Sequence, residues 1–333
     1  MRPADGAGPA PAPLMRLHAA PDKGGCDDCR LSRNELATPM KRKPNLSATL
    51  ALLPTWLVAV VVFIGTMAWS IHLSFTGSTI FPSSDYVGLA QYAKLFSSAK
   101  WLASLHNVLV FGLLYVGGCL LLGFLLAAAL DRKIRFESVF RTLFLYPYAM
   151  SFVVTGLIWQ WMLNPTLGIQ ASVRALGWES FVLDWAVNRD MAIYALVLAG
   201  VWQGAGLVMV IVLAGMRGIE AEQWKAARID GIPVWRIYVS IILPQLGPAL
   251  AAAGLLLGMG VIKTYDIVVA MTNGGPGNAT EVPAKFIMDN LFGRQNLGLA
   301  TAGATVLVLG VIAIVAPFRY AMFLRRKSTG ARG

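Results

Sequence analysis

Six long apolar runs, at about 50–75, 107–130, 140–163, 191–214, 241–262 and 298–322, constrain this chain more than any other feature. Each is close to or above the roughly 20 residues a helix needs to cross about 30 Å of hydrocarbon. Backbone polar groups in lipid must be paired within the protein, which leaves helices and closed barrels. The runs are rich in Leu, Ala and Val and lack period-two alternation, so the sequence predicts an all-α membrane protein with six spanning helices rather than a barrel. Composition agrees: 56% of the 333 residues are hydrophobic and 14% charged, with a mean hydropathy of +0.62. A water-soluble domain of that composition would lack the polar surface to cover itself.

Charge placement orients the runs. The formal net charge of +11 comes from basic residues lying between apolar runs, not from a basic face on a soluble module, so it carries topology and argues against nucleic acid. Of 28 Lys and Arg residues, eight precede the first run, four lie in 131–141, four in 215–240 and five from Arg319 onward; the other three connections hold seven. Six spans place all four rich segments on one side, the cytoplasmic side, with both termini. The domain reading is a disordered Pro/Gly/Ala-rich tail at 1–49, a six-helix domain at 50–324 and a basic tail at 325–333. The first tail is too long for the leading region of a signal peptide, and the run behind it too long for a cleaved one.

The outward connections carry their own signals. Residues 76–106 hold Phe81-Pro82, Tyr86, Gly88 and Tyr92, which suggests a folded edge or a short surface helix. Residues 164–190 begin at Asn164-Pro165 and carry Trp178 and Trp185 as interface anchors. Met271 to Asn278 is dense in turn residues, and a helix-like stretch then runs to Leu291. The NGGPGN sequence lacks the GxxxxGK[ST] pattern and faces away from cytoplasmic ATP, so no nucleotide site is expected in the chain. Cys26 and Cys29 form a lone CxxC, and His18, His72 and His106 are scattered, so no metal site is expected either. Cys119 reads as a small buried hydrophobe.

Between the fourth and fifth runs lies KAARIDGIPVWRIYVSIILP, Lys225 to Pro244, polar and helix-prone with one glycine break. A helix from Glu220 should turn at Gly231 and restart with Pro233 in its first turn, giving two short helices at an angle. Ile219, Trp224, Ala227 and Val234 are its apolar contacts, Glu222, Lys225, Arg228 and Asp230 its polar face, and Pro244 should bend the start of the fifth span. Two readings fit: a knob docking on a cytoplasmic partner, or an amphipathic helix resting on anionic lipid through Lys225, Arg228 and Arg236.

The pattern of Ala226 and Ala227, Asp230-Gly231, and Ile241-Ile-Leu-Pro244 resembles the coupling loop (219–240 here) of membrane subunits of binding-protein-dependent ABC importers. Lys225 departs from that pattern, standing where the usual glutamate would be; Glu222, one turn earlier, is the substitute. The resemblance covers all six spans and is closest to carbohydrate permeases, with Asn107 opening the second span, Pro147 in the third followed by Trp159, Asn164-Pro165 and Gly168, and Met271 to Gly277 closing the fifth. Ala279 to Lys285 and Asn296 to Ala300 are similar to permeases for α-glucosides, related disaccharides or glucosylated osmolytes.

The resemblance implies the type I ABC importer permease fold in a bacterial plasma (inner) membrane. It implies as partners a second permease subunit, two ATPase subunits that bind ATP and Mg, an extracytoplasmic solute-binding protein and a sugar. The coupling residues it implies are Glu222, Lys225, Ala226, Ala227, Asp230, Gly231 and Pro244. The implied substrate path is lined by Trp202, Gln203, Gly204 and Leu207 on the fourth span and by Gly260, Thr264 and Tyr265 on the outer fifth. Competing roles for these residues are structural: Gly204 and Gly206 as helix-packing positions, Trp202 as filler between helices, and Gln203 as a hydrogen bond across the bundle. An ion-coupled secondary carrier needs an ionisable site within its spans, and these runs offer few candidates; a membrane scaffold without transport is the other alternative.

Overall fold

The computed structural model describes residues 46–131, 135–262 and 264–330, with the side chains of 46–51, 221, 228 and 314–330 left aside. The calls on residues 1–45, including Cys26 and Cys29, and on 331–333 lie outside the described residues. Contact clustering separates two units. In the first, Leu46–Ala59 is helix α1, so helix begins within the stretch assigned to the tail.

Among the described residues of the second unit, Val61 onward, the regular elements are helices, apart from one antiparallel bridge between Thr76 and Tyr86. Its helices are α2 (Thr66–Leu73), α3 (Ala90–Ser97), α4 (Ala99–Leu130), α5 (Glu137–Ala149), α6 (Phe152–Met162) and α7 (Ile169–Ala175). They continue as α8 (Ala192–Arg217), α9 (Ala221–Ile229), α10 (Val234–Gln245, closed by a π turn and a last helical turn), α11 (Gly247–Ile262), α12 (Tyr265–Met271), α13 (Pro283–Met288) and α14 (Leu297–Gly330). Three stretches are long and apolar enough to cross a membrane unbroken: Leu52–Leu73, α4 and α8. Two more are bent pairs, α5 with α6 at 98° and α10 with α11 at 71°; α14 is apolar over Leu297–Ala313 and runs on as helix to Gly330, past the expected end of the sixth run.

The centre of the unit is α8. Of its most apolar window 61% is buried, against 22% for α4. Lipid tails are as apolar as leucine, so close contact between spans depends on small residues that let backbones approach. The α4 face toward α8 is a stripe at i, i+4 spacing, Phe111, Tyr115, Cys119, Gly123 and Ala127, all buried. A methyl group on Gly123 would come within 2.5 Å of Val208 Cβ, and one on Gly206 within 2.1 Å of the Phe144 carbonyl oxygen. Gly206 thus seats α8 on the backbone of α5. At one end of α8, Arg217 and Arg141 both donate to the Glu137 carboxylate, clamping α5 to α8.

The bends have local causes. Pro147 removes an interior donor near the end of α5; Met150 is extended (φ −79°, ψ 152°), and Ser151 caps α6 by accepting from Val153 N at 3.3 Å. In the second pair Leu246 ends α10 at φ −76°, ψ 0°, directly before Gly247-Pro248; Pro244 lies within the helix and Leu243 stays helical (φ −56°, ψ −42°), so the bend falls past the proline expected to make it.

Candidate functional site

The segment between α8 and α11 folds as two short helices meeting at Gly231, whose φ of +69° belongs to the left-handed region that glycine enters without penalty. Pro233 is the N-cap of α10 rather than a first-turn residue. The inner face anchors the segment: Ala227 and Ile237 are buried, and Ile219, Trp224, Ile232 and Tyr238 pack partly buried on the main core. Trp224 meets Tyr238 edge-on at 5.4 Å, Tyr238 donates to Asp131 Oδ2 at 3.2 Å, and Gln245 Nε2 donates to Gln223 Oε1 at 2.8 Å. The outer face is open: Glu222, Lys225, Ala226, Asp230, Gly231 and Pro244 are exposed, with Ile229 at 85% and Trp235 at 68%.

The two alanines of the sequence pattern therefore part company. Ala226 faces outward, while Ala227, at 4% exposure, is a packing residue of the chain itself. Val234, expected as an apolar contact, is 48% exposed. Exposed Ile229, Val234 and Trp235 beside charged Glu222, Lys225 and Asp230 make a mixed surface of the kind that proteins bury against one another.

The residues expected along the substrate path divide in the same way. Gly204 is a close-packing site, since a methyl there would lie 2.8 Å from both Tyr115 Oη and Cys119 Sγ; a methyl on Gly260 would lie 3.7 Å from the same Tyr115 Oη, in ordinary contact. The two groups of path candidates thus converge on Tyr115, a residue that sequence reasoning passed over although its hydroxyl stands out in an apolar i, i+4 stripe. Trp202, 38% exposed, packs edge-on against Trp159 at 5.9 Å. Gln203 is 2% exposed and its Nε2 donates 2.8 Å to the Met150 carbonyl, a bond across the bundle. Thr264 is buried with its hydroxyl bonded to the Val261 carbonyl, and Leu207 and Tyr265 are half-buried.

The elbow at Met150-Ser151 was not foreseen. Non-helical backbone at membrane depth is tolerated only where protein covers it or water reaches it. Here Tyr146 is 65% and Tyr148 45% exposed, and Ser151 is open, so the described residues do not cover the elbow.

At the other end of the long helices, the turn-rich outer loop is fastened to α4. Asn107 Nδ2 donates to the carbonyls of Asn278 at 2.9 Å and Glu281 at 3.0 Å. Lys100 Nζ lies 3.1 Å from Glu281 Oε1 as an ion pair without hydrogen-bond alignment, and 3.0 Å from Asp289 Oδ2, which Lys285 also reaches at 2.7 Å. Burial pushes the Glu281 carboxyl above the usual carboxylate range, against the pull of Lys100. Burial acts upward on Asp289 too, but Lys285 and Lys100 outweigh it and hold that carboxyl below its ordinary value. A cavity of about 380 Å³ opens near this end, lined by Gln160, Asn164, Pro165, Thr272, Asn273 and Pro276 among others. Trp185 packs against the core, whereas Trp178 is 60% exposed, so only the second matches the expected interface anchor.

Comparison with known proteins adds four findings. Residues 120–328 match the family model for the inner membrane component of binding-protein-dependent transport systems. The chain is 37% identical over 284 residues to a probable ABC transporter permease protein of Pyrococcus horikoshii, covering 84% of this chain and 97% of that one. It is 34% identical over 272 residues to a xylose/arabinose import permease of Haloferax volcanii, covering 80% and 85%. Among solved structures, a bacterial ABC transporter that imports the acidic polysaccharide alginate matches with a TM-score of 0.71 at 18% identity, covering 88% of this chain and 98% of that one.

Proposed function

The chain belongs to the family of inner membrane components of binding-protein-dependent transport systems, and from that membership we propose that it is the non-catalytic translocating subunit of an ATP-driven sugar importer. One observation carries this reading. The segment from Ala221 to Gln245 is anchored from within through Ala227, Ile237 and Tyr238 and presents an outer face that none of the described residues covers. An amphipathic helix resting on lipid would instead keep its apolar face for the membrane; here much of that face is spent on the protein core.

In this proposal α5 with α6 counts as the third span, α11 as the fifth with α10 leading into it from the cytoplasmic side, and α14 as the sixth, giving six spans with both termini cytoplasmic in a plasma (inner) membrane. Two ATPase subunits hold ATP and Mg and dock on the face bearing Glu222, Lys225, Ala226, Asp230 and Gly231. A second permease subunit faces the exposed elbow of α5 and α6 across the path, which runs between the two subunits and leaves the elbow open to its water. A solute-binding protein delivers the sugar at the end bearing the Asn107-fastened loop. Closure of the ATPases pushes on α9, the movement passes through α10 into α11, and the path changes the side to which it opens. Trp202, Leu207 and Tyr265 offer exposed or half-buried side chains to the sugar, aromatic faces for stacking and an apolar wall. The proposed cargo is an α-glucoside, a related disaccharide or a glucosylated osmolyte, supported by the sequence of Ala279 to Lys285 and Asn296 to Ala300.

The test is reconstitution of the complete importer in vesicles. Uptake of an α-glucoside that needs ATP, the binding protein and both permeases supports the proposal. Uptake driven by an ion gradient without ATP would instead make the chain a secondary carrier.

A further inference from the structure

Both bent spans rest on α8, and we propose that Gln203 is a positioning residue that latches the α5–α6 elbow to α8, so that movement entering α8 at Gly215 is delivered at Met150. Met150 is extended, so its carbonyl has left the helical ladder; Thr155 N bonds to the Ser151 carbonyl and Val153 N to the Ser151 hydroxyl. Gln203 Nε2 fills the missing donor's place at 2.8 Å. The orientation of the amide is fixed chemically, because turning it over would set its oxygen against the carbonyl oxygen. Among the described residues its Oε1 is buried without a partner, so the bond to Met150 is the one the amide makes there. A fully saturated buried network rigidifies a core; a single bond at a break in a helix is one that can be exchanged during a change of state.

The other end of α8 receives the second bend. Gly215 lies about 18 Å from Gln203 along the axis, at 1.5 Å per residue, and takes the side chain of Leu246, the bend residue itself: a methyl on Gly215 would come within 2.8 Å of Leu246 Cδ2. Between the two, Gly206 sits against the Phe144 carbonyl with no room for a side chain. A shift of Leu246 driven from α10 thus bears on α8, and α8 holds the elbow through Gln203. The inference rests on the permease reading for its biological meaning, but the latch itself is read without sugar or ATP.

The experiment uses the complete reconstituted importer with a cysteine at Tyr148, an exposed elbow position, and measures its rate of modification by a membrane-impermeant maleimide with neither sugar nor ATP. Gln203→Met keeps the length and removes the donor, whereas Gln203→Glu, protonated in this buried setting, keeps one. The methionine variant should change the rate up to about tenfold, the span of a single net hydrogen bond, with the glutamate variant near the native rate. Gly215→Val, pressing on Leu246 from the far end, should change it too. Equal rates in all of these, or a raised sugar KM for Gln203→Met with an unchanged thiol rate, would overturn the latch; the second result would make Gln203 a substrate contact. If the methionine variant fails to copurify with its ATPases, Gln203→Asn, one methylene too short to reach, takes its place with the same expectation. Failed α-glucoside uptake with the thiol pattern intact would count against the proposed cargo and leave the latch standing.

Discussion

Substitution of Gly231 isolates one physical cost at the docking segment. Its φ is +69°, and a methyl group built there meets nothing within 4 Å, so alanine adds no clash and the whole penalty is conformational. Holding a non-glycine residue in the left-handed region costs about 1–2 kcal/mol, equivalent to roughly 5–30-fold in the population of the native elbow. Asparagine tolerates that region better than alanine, and proline, locked near a φ of −65°, cannot enter it. If the turn at Gly231 sets the direction of α10 from α9 as the ATPase requires, retention of ATPase by the purified permease should fall in the order Gly, Asn, Ala, Pro. ATP-driven uptake at equal membrane abundance should follow the same order. An alanine variant within about twofold of the native chain in both assays would refute the reasoning, as would an asparagine variant weaker than alanine.

Three further outcomes are expected. Ala226→Arg should leave the permease folded and abolish ATPase copurification, whereas Ala227→Arg, which buries an unpaired charge in the permease core, should lower its abundance in the membrane; immunoblotting beside pull-down separates the two. If exposed Lys225 is tuned to a matching acidic site on the ATPase, Lys225→Glu should impair uptake while the permease accumulates normally; unimpaired uptake would remove that match. In the outer loop, Asp289 has a lowered pKa and so contributes stability above the ordinary carboxylate range, about 3.9 for Asp, that is lost as pH falls through its folded value; Glu281, with a raised pKa, acts in the opposite sense and is relieved by protonation. Melting curves of the detergent-solubilised complex should therefore lose less stability on acidification in Asp289→Asn than in the native chain.

The lengths of the apolar runs made the helical membrane class legible, because span length depends on hydrocarbon thickness and not on neighbours. Direction within a run was not legible. The third run reads as one continuous apolar segment, yet turns by 98°, because the break needs only Pro147, an extended Met150 and a serine cap, none of which interrupts the apolar pattern. The phase of α9 was equally hidden: Ala226 and Ala227 are chemically identical, and only the docking of Trp224 and Ile237 on the core decides which one faces outward. Gln203 stood out as an amide inside a span, but its partner lies 53 residues earlier. The four-residue spacing of Glu281, Lys285 and Asp289 was visible in principle, although Glu281 lies just ahead of α13; Lys100, which ties them to α4, is 189 residues from Asp289.

The crowding of α8 bears on how such a chain can change its cargo over evolutionary time. Positions 200, 204, 206 and 215 admit no added carbon without moving a neighbour, so most first-step substitutions on this helix are lost before any new specificity can be selected. If the proposed path holds, variation that retunes the cargo has room where side chains beside this helix already stand free, at Tyr146, Tyr148 and Ser151. The innermost helix is thereby the least evolvable part of the path, and the broken span beside it is where diversity among relatives should gather.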